Sequence, residues 1–207
     1  MVDHRRRLRV LPDSVAEPAA RRPPVFERVA VVSLGSLGAS IALAARQAWP
    51  SALVIGIDRN EVLEEARRRA VFDVGADDLF LAAEADLIVL AGTTGESLRL
   101  MSQLAEVVSG EAVVTDIAPA KRAVLACSRD LPARLTFVGG RPLVDAASMD
   151  LQSARADLFV GRDWLFTLEA GSSAAAVSKL FAFARGLGAR PQRMDPDEYD
   201  RQFEANT

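Results

Sequence analysis

The chain is poor in the residues that most often announce chemistry: among 207 positions it has a single cysteine, Cys127, and a single histidine, His4. One thiol makes no internal disulfide. Cys127 lies among Ala123, Val124, Leu125 and Ala126 in a predicted helix, so it reads as a small core residue in a reducing, cytoplasmic compartment. His4 falls near the N-terminus, where a solvent-exposed tail residue is the expected reading. A net charge of -3 and a pI near 5.3 supply no field to draw in nucleic acid or an anionic membrane, so neither partner is expected. The N-terminal stretch has no apolar segment long enough for a signal peptide or a span. No internal repeat or low-complexity tract is seen.

What is present is enough for a core, since half of the chain is hydrophobic and 26% is charged. Residues 1–26 carry Arg5-Arg6-Arg7, Arg9, Arg21-Arg22 and four prolines; Asp3, Asp13 and Glu17 interrupt the charge, which argues against a transit peptide. They read as a flexible, solvated arm ahead of an anion-binding one. From Arg28 onward apolar runs alternate with helical patterns. Val29 to Val32, Leu53 to Ile57, Leu87 to Ala91 and Ala112 to Val114 lack polar alternation, as strands buried on both faces do. Leu37, Ile41 and Ala44/Ala45 mark one intervening helix face, Val62, Leu63 and Ala66 a second, and Leu98, Met101, Leu104 and Val108 a third. Further strands are expected at Leu135 to Val138, Trp164 to Leu168 and Pro191 to Met194, with a helix over Ala174 to Leu187 closed by Gly188. Thr93-x-x-Glu96 predicts a capping box, Gly110 a C-cap, and Asp195-Pro196 the start of a last helix over 196–207. The fold class is α/β: a doubly wound, mainly parallel sheet with helices on both faces over 27–195.

The first strand leads into Ser33-Leu34-Gly35-Ser36-Leu37-Gly38, a partial G-x-G-x-x-G fingerprint whose first glycine is replaced by Ser33. Gly35 keeps the role of letting backbone approach a pyrophosphate, and Gly38 that of close helix–strand packing. Ser33 must take the first glycine's conformation with a Cβ attached, tolerable at negative φ and costly at positive φ. Asp58 closes the second strand where a carboxylate would accept the adenosine ribose hydroxyls, which favours NAD; Arg59 beside it leaves a route to NADP or to stacking on adenine. The expected cofactor site is therefore Ser33, Gly35, Ser36, Leu37, Gly38, Asp58, Arg59 and Thr93. The competing reading is a strand–helix turn of a doubly wound fold that binds no dinucleotide.

Together with Ile55-Gly56-Ile57-Asp58-Arg59-Asn60, several further segments in order make the chain resemble the prephenate and arogenate dehydrogenase family of tyrosine biosynthesis. They are Ala85-Asp86-Leu87-Ile88-Val89-Leu90-Ala91, Thr115-Asp116-Ile117-Ala118-Pro119-Ala120-Lys121, Phe137-Val138-Gly139-Gly140-Arg141-Pro142-Leu143, Asp157-Leu158-Phe159-Val160-Gly161-Arg162 and Met194-Asp195-Pro196-Asp197-Glu198-Tyr199-Asp200-Arg201. The resemblance implies a Rossmann domain followed by an all-helical domain that makes the dimer and completes the substrate pocket. It also implies an oxidative decarboxylation in which hydride passes to the nicotinamide. The family's helical domain would begin where this chain stops, so its substrate residues are expected to be missing and any homodimer would use another interface.

Two departures touch the chemistry the resemblance implies. The family's Gly-Gly-His-Pro-Met histidine is Arg141 here, and the serine of its Asp-x-x-Ser-x-Lys segment is Pro119. Arginine stays protonated, so it binds a carboxylate in two-point fashion but does not accept the hydroxyl proton. The first expectation is therefore a diverged NAD(P)-binding protein acting on a carboxylated cyclic or aromatic metabolite. Arg141 and Lys121 would bind the anion, and Asp116, Asp145 or Tyr199 would transfer protons. For Arg141 and Lys121 a surface loop and a solvated helix face are the bland readings, and for Asp116 it is a helix cap. The second expectation is a non-catalytic cofactor-sensing or partner-binding protein. The third is a non-redox isomerase or cyclase using the same cleft without a dinucleotide.

Overall fold

The computed structural model describes residues 23–144, 150–168 and 171–203. In chain order it has β1 (Arg28–Val32), α1 (Ser36–Ala48), β2 (Leu53–Ile57), α2 (Asn60–Arg68), β3 (Val74–Ala76), β4 (Leu87–Leu90), α3 (Thr94–Val107), β5 (Ala112–Asp116), α4 (Lys121–Ser128) and β6 (Leu135–Pro142). β7 (Asp163–Thr167), α5 (Ala174–Gly186), β8 (Arg190–Met194) and α6 (Pro196–Phe203) follow. Among the described residues the strands make one eight-stranded sheet in the order β3-β2-β1-β4-β5-β6-β7-β8. Neighbours from β3 to β6 run parallel. β7 is antiparallel to β6, and β8 follows β7. The chain winds outward from β1 to β3 and then returns to the other side of β1 as β4. That reversal leaves a crevice at the carboxyl ends of β1 and β4, where open α/β sheets take their ligands.

The sheet divides the core into two layers, and β1 feeds both. Val29 and Val31 pack into one layer with Ile41, Trp49, Trp164 and Phe183. Ala30 and Val32 face the other, with Ile88, Leu90, Met101, Leu104 and Val114. No described helix is long and apolar enough to cross a membrane.

Several boundaries differ from the sequence reading. Phe26, placed there in the arm, is 3% exposed and meets Phe183 edge-on at 5.9 Å, so the folded domain starts before residue 27; residues 1–22, His4 included, lie outside the described residues. Gly110 is not a left-handed cap: α3 ends at Val107 with an extended Val108 after it, and Gly110 is not among the positive-φ glycines. β3, three residues long, is too short for periodicity to reveal. β6 runs on through Arg141, which pairs with Leu165 and so is a strand residue, not a loop residue. Gly188 does close α5, at φ 84, with Ala189 N–H donating to the Ala184 carbonyl and Gly188 N–H to that of Arg185. Cys127 lies half-buried in α4, where burial pushes its thiol up.

Candidate functional site

The turn after β1 is fastened to β2 by two bonds. Ser33 N–H donates to the Ile57 carbonyl at 2.9 Å, and Leu34 N–H donates to Asp58 Oδ2 at 2.6 Å. Asp58 Oδ1 also accepts from the Arg59 N–H at 2.7 Å. Asp58 therefore shapes the turn as well as standing at the end of β2. Ser33 is held at φ 74, the left-handed region that an L side chain adopts at a cost. α1 then begins behind Gly35 with no side-chain cap and no acidic residue in its first turn. Its first N–H groups have no intrahelical partner and form an anion-binding end. Gly38 is required by packing: a Cβ there would lie 2.1 Å from the Ser33 carbonyl oxygen and 2.9 Å from Ala91 Cβ.

The facing wall is the start of α3. Thr93 and Glu96 form the expected capping box, with Thr93 N–H donating to Glu96 Oε2 at 2.8 Å and Glu96 N–H to Thr93 Oγ1 at 3.3 Å. Thr93, expected to bind cofactor, thus has its hydroxyl engaged in the cap. Gly92 lets the two turns approach closely, since a Cβ there would lie 2.5 Å from Glu96 Oε2 and 2.9 Å from Ser33 Oγ. Below these turns lies a cavity of about 770 Å³ lined by Ser33 and Asp58, with Arg59, Asp77, Asp78, Phe80, Glu96, Arg99 and Glu106. Five carboxylates thus stand against two guanidiniums. Leu37 and Ser36 lie on the first turn of α1, half-buried and buried respectively.

The second group of expected residues gathers at the ends of β5 and β6. Lys121, the first residue of α4, is fully buried, which corrects the solvated helix face. Its Nζ donates to Asp116 Oδ1 and Oδ2, each at 2.8 Å, and to the Gly140 carbonyl at 2.6 Å. Those bonds use all three ammonium hydrogens. Asp116 also accepts from the Ala118 N–H at 3.0 Å and the Gly140 N–H at 3.2 Å, so it joins β5, β6 and α4. Burial pushes the Lys121 ammonium below its ordinary value against the pull of Asp116, and the charge of Arg141 pushes the same way. Arg141 is half-buried and Pro119 exposed. Tyr199 is buried on α6, 6.0 Å from Lys121 Nζ to its ring centre. Asp145 lies outside the described residues.

Sequence reasoning missed Gly92, the Asp77–Asp78 rim and Asp200. The first sits in an irregular turn and the second follows the unseen β3. Asp200 falls in the last helix expected over 196–207 with no role assigned to it, yet it is 1% exposed and its carboxylate receives the N–H groups of Lys121 and Arg122.

A doubly wound sheet with an uncapped helix N-terminus at its reversal point and an acid closing β2 defines a Rossmann-type nucleotide-binding domain. This chain belongs to the prephenate dehydrogenase family: the model described as prephenate dehydrogenase, nucleotide-binding domain, matches residues 41–192. It is similar to the prephenate dehydrogenase of Lactococcus lactis, 27% identical over 179 residues, covering 85% of this chain and 49% of that protein. It is likewise similar to that of Bacillus subtilis, 29% identical over 178 residues, covering 84% and 48%. The chain therefore spans about half the length of these curated relatives. Its fold matches Aquifex aeolicus prephenate dehydrogenase in complex with hydroxyphenyl propionate and NAD+, with a TM-score of 0.79, 21% identity, and coverage of 86% of this chain and 63% of that one.

Proposed function

We propose that this chain binds NAD(P), with NAD preferred, and holds a carboxylated cyclic or aromatic metabolite at Arg141 without carrying out ordinary prephenate oxidation. The observation behind this reading is a permanently charged guanidinium on β6, at the position the resemblance gives to the family's histidine and one residue past the Gly140 carbonyl that Lys121 Nζ grips at 2.6 Å. The nucleotide suits the crevice: the open first turn of α1 receives the pyrophosphate, the glycine at 38 lets α1 approach, and Asp58 keeps lone pairs for ribose hydroxyls. When bound, the nicotinamide supplies a hydride acceptor. The chain's own residues do the rest. Arg141 orients a carboxylate by a two-point contact, Pro119 offers no hydroxyl, and Lys121 and Asp116 are engaged with each other.

The mutual engagement of Lys121 and Asp116 favours a second reading, a cofactor-sensing or partner-binding domain. Calorimetry with NAD and NADP, paired with a prephenate turnover assay, tests both. Micromolar NAD binding, weaker NADP binding and no prephenate oxidation are the expected results; turnover by the unmodified chain overturns the proposal. NAD binding with neither turnover nor binding of a carboxylated aromatic supports the sensing reading. No dinucleotide binding at millimolar concentration supports a non-redox enzyme. Arg141→His alone is expected to leave prephenate unoxidised, because Pro119 remains.

A further inference from the structure

We propose that Asp200 is a positioning residue that sets Arg141 for a ligand carboxylate, acting from α6 through the first turn of α4, Lys121 and Gly140. The inference rests on the reading of Arg141 as the anion-binding group. α4 has no side-chain cap of its own at Ala120. The cap comes from 79 residues away: Asp200 Oδ1 accepts the Lys121 N–H at 3.1 Å, and Oδ2 accepts the Arg122 N–H and Nε, each at 3.0 Å. The Asp200 side chain is 0% exposed, and its bond to the Lys121 N–H is buried. Lys121 carries the constraint onward, because its Nζ grips Asp116 and the Gly140 carbonyl one residue before Arg141. β6 is packed closely against its neighbours there, since a Cβ at Gly139 would sit 2.3 Å from Thr167 Oγ1 and one at Gly140 2.9 Å from Thr115 Oγ1. Any displacement of α6 thus reaches Arg141 along charge-assisted hydrogen bonds between close-packed elements.

The chain has two lysines, Lys121 and Lys179, so an NMR spectrum of 15N-lysine-labelled protein reports Lys121 Nζ nearly alone. The test compares wild type with Asp200→Asn for hydrogen exchange at Lys121 Nζ, for NAD affinity and for affinity toward hydroxyphenyl propionate. In the variant, exchange is expected to accelerate and the Kd for the carboxylate to rise about tenfold, as for loss of one charge-assisted contact, with NAD affinity held within about twofold. Unchanged exchange and unchanged carboxylate affinity overturn the proposal, as does an equal loss of NAD binding. Should Asp200→Asn fail to fold, adding Ala120→Asp gives α4 a local cap without rejoining it to α6. Wild-type carboxylate affinity in that double variant overturns the proposal by reducing Asp200 to a cap. A wild-type protein that binds NAD but no carboxylate refutes the reading of Arg141, whereas the exchange measurement still decides whether Asp200 holds Lys121.

Discussion

At Ser33 and Lys121 the structure holds single residues under tension. A side chain at φ 74 costs about 1–2 kcal/mol in the left-handed region, while glycine forfeits about 0.4–1 kcal/mol through a freer unfolded chain. Ser33→Gly is therefore expected to raise stability by about 0.5–1 kcal/mol in urea denaturation, the difference of those two effects. Ser33→Ala keeps the Cβ and is expected to gain nothing. Lys121→Met leaves Asp116 buried without its cation and should cost about 3–5 kcal/mol at neutral pH. Burial lowers the folded-state Lys121 value below the ordinary 10.5, so between those two values the unfolded chain holds more protons and stability rises with pH. The cost of the buried charge is fully present below the folded value and is released as pH climbs. Denaturation curves followed as pH rises from neutral to 10.5 should show wild type gaining on Lys121→Met; a flat difference would refute the direction.

At the scale of elements, caps and termini carry the local stability and mark what a sequence discloses. Thr93→Ala breaks the capping box of α3 and should cost about 1 kcal/mol by thermal or urea unfolding. Gly188→Ala meets Val160 Cγ2 at 3.0 Å as well as the positive φ, and should cost about 1–2 kcal/mol. Both features are legible in the sequence because they depend on neighbours within a few residues, as are β1, β2 and β4, whose apolar runs admit no exposed face. The unread parts depend on distant partners. Nothing near Lys121 shows that a lysine at a helix start is buried, because Asp116 and Gly140 reach it only once β5, β6 and α4 are packed. Asp200 looks like one more charge on a polar helix until α6 lies against α4. Arg141 resembled a loop residue because Gly139 and Gly140 break the apolar pattern, whereas β6 needs those glycines to pass Thr115 and Thr167.

At the scale of the whole molecule, charge is distributed so that a near-neutral chain still presents a negative crevice. The five carboxylates and two guanidiniums around the cavity leave three uncompensated negative charges, which bear on a 2′-phosphate carrying roughly two more. At ~10 Å in water each pair of unit charges repels by about 0.4 kcal/mol, or about 2.5 kcal/mol for six pairs before screening. Screening reduces this to about 0.9 kcal/mol at ~0.1 M salt and about 0.1 kcal/mol at ~1 M. The proposed preference for NAD over NADP is therefore expected to shrink about fourfold across that range. Direct contact between Asp58 and a ribose hydroxyl would be far less sensitive to salt, because paired groups at hydrogen-bond distance exclude the screening ions. Calorimetric titration of both dinucleotides at the two salt concentrations separates the contributions: a ratio that does not move assigns the selectivity to Asp58 alone, and one that falls assigns it to the acidic field that Asp77, Asp78, Glu96 and Glu106 share with it.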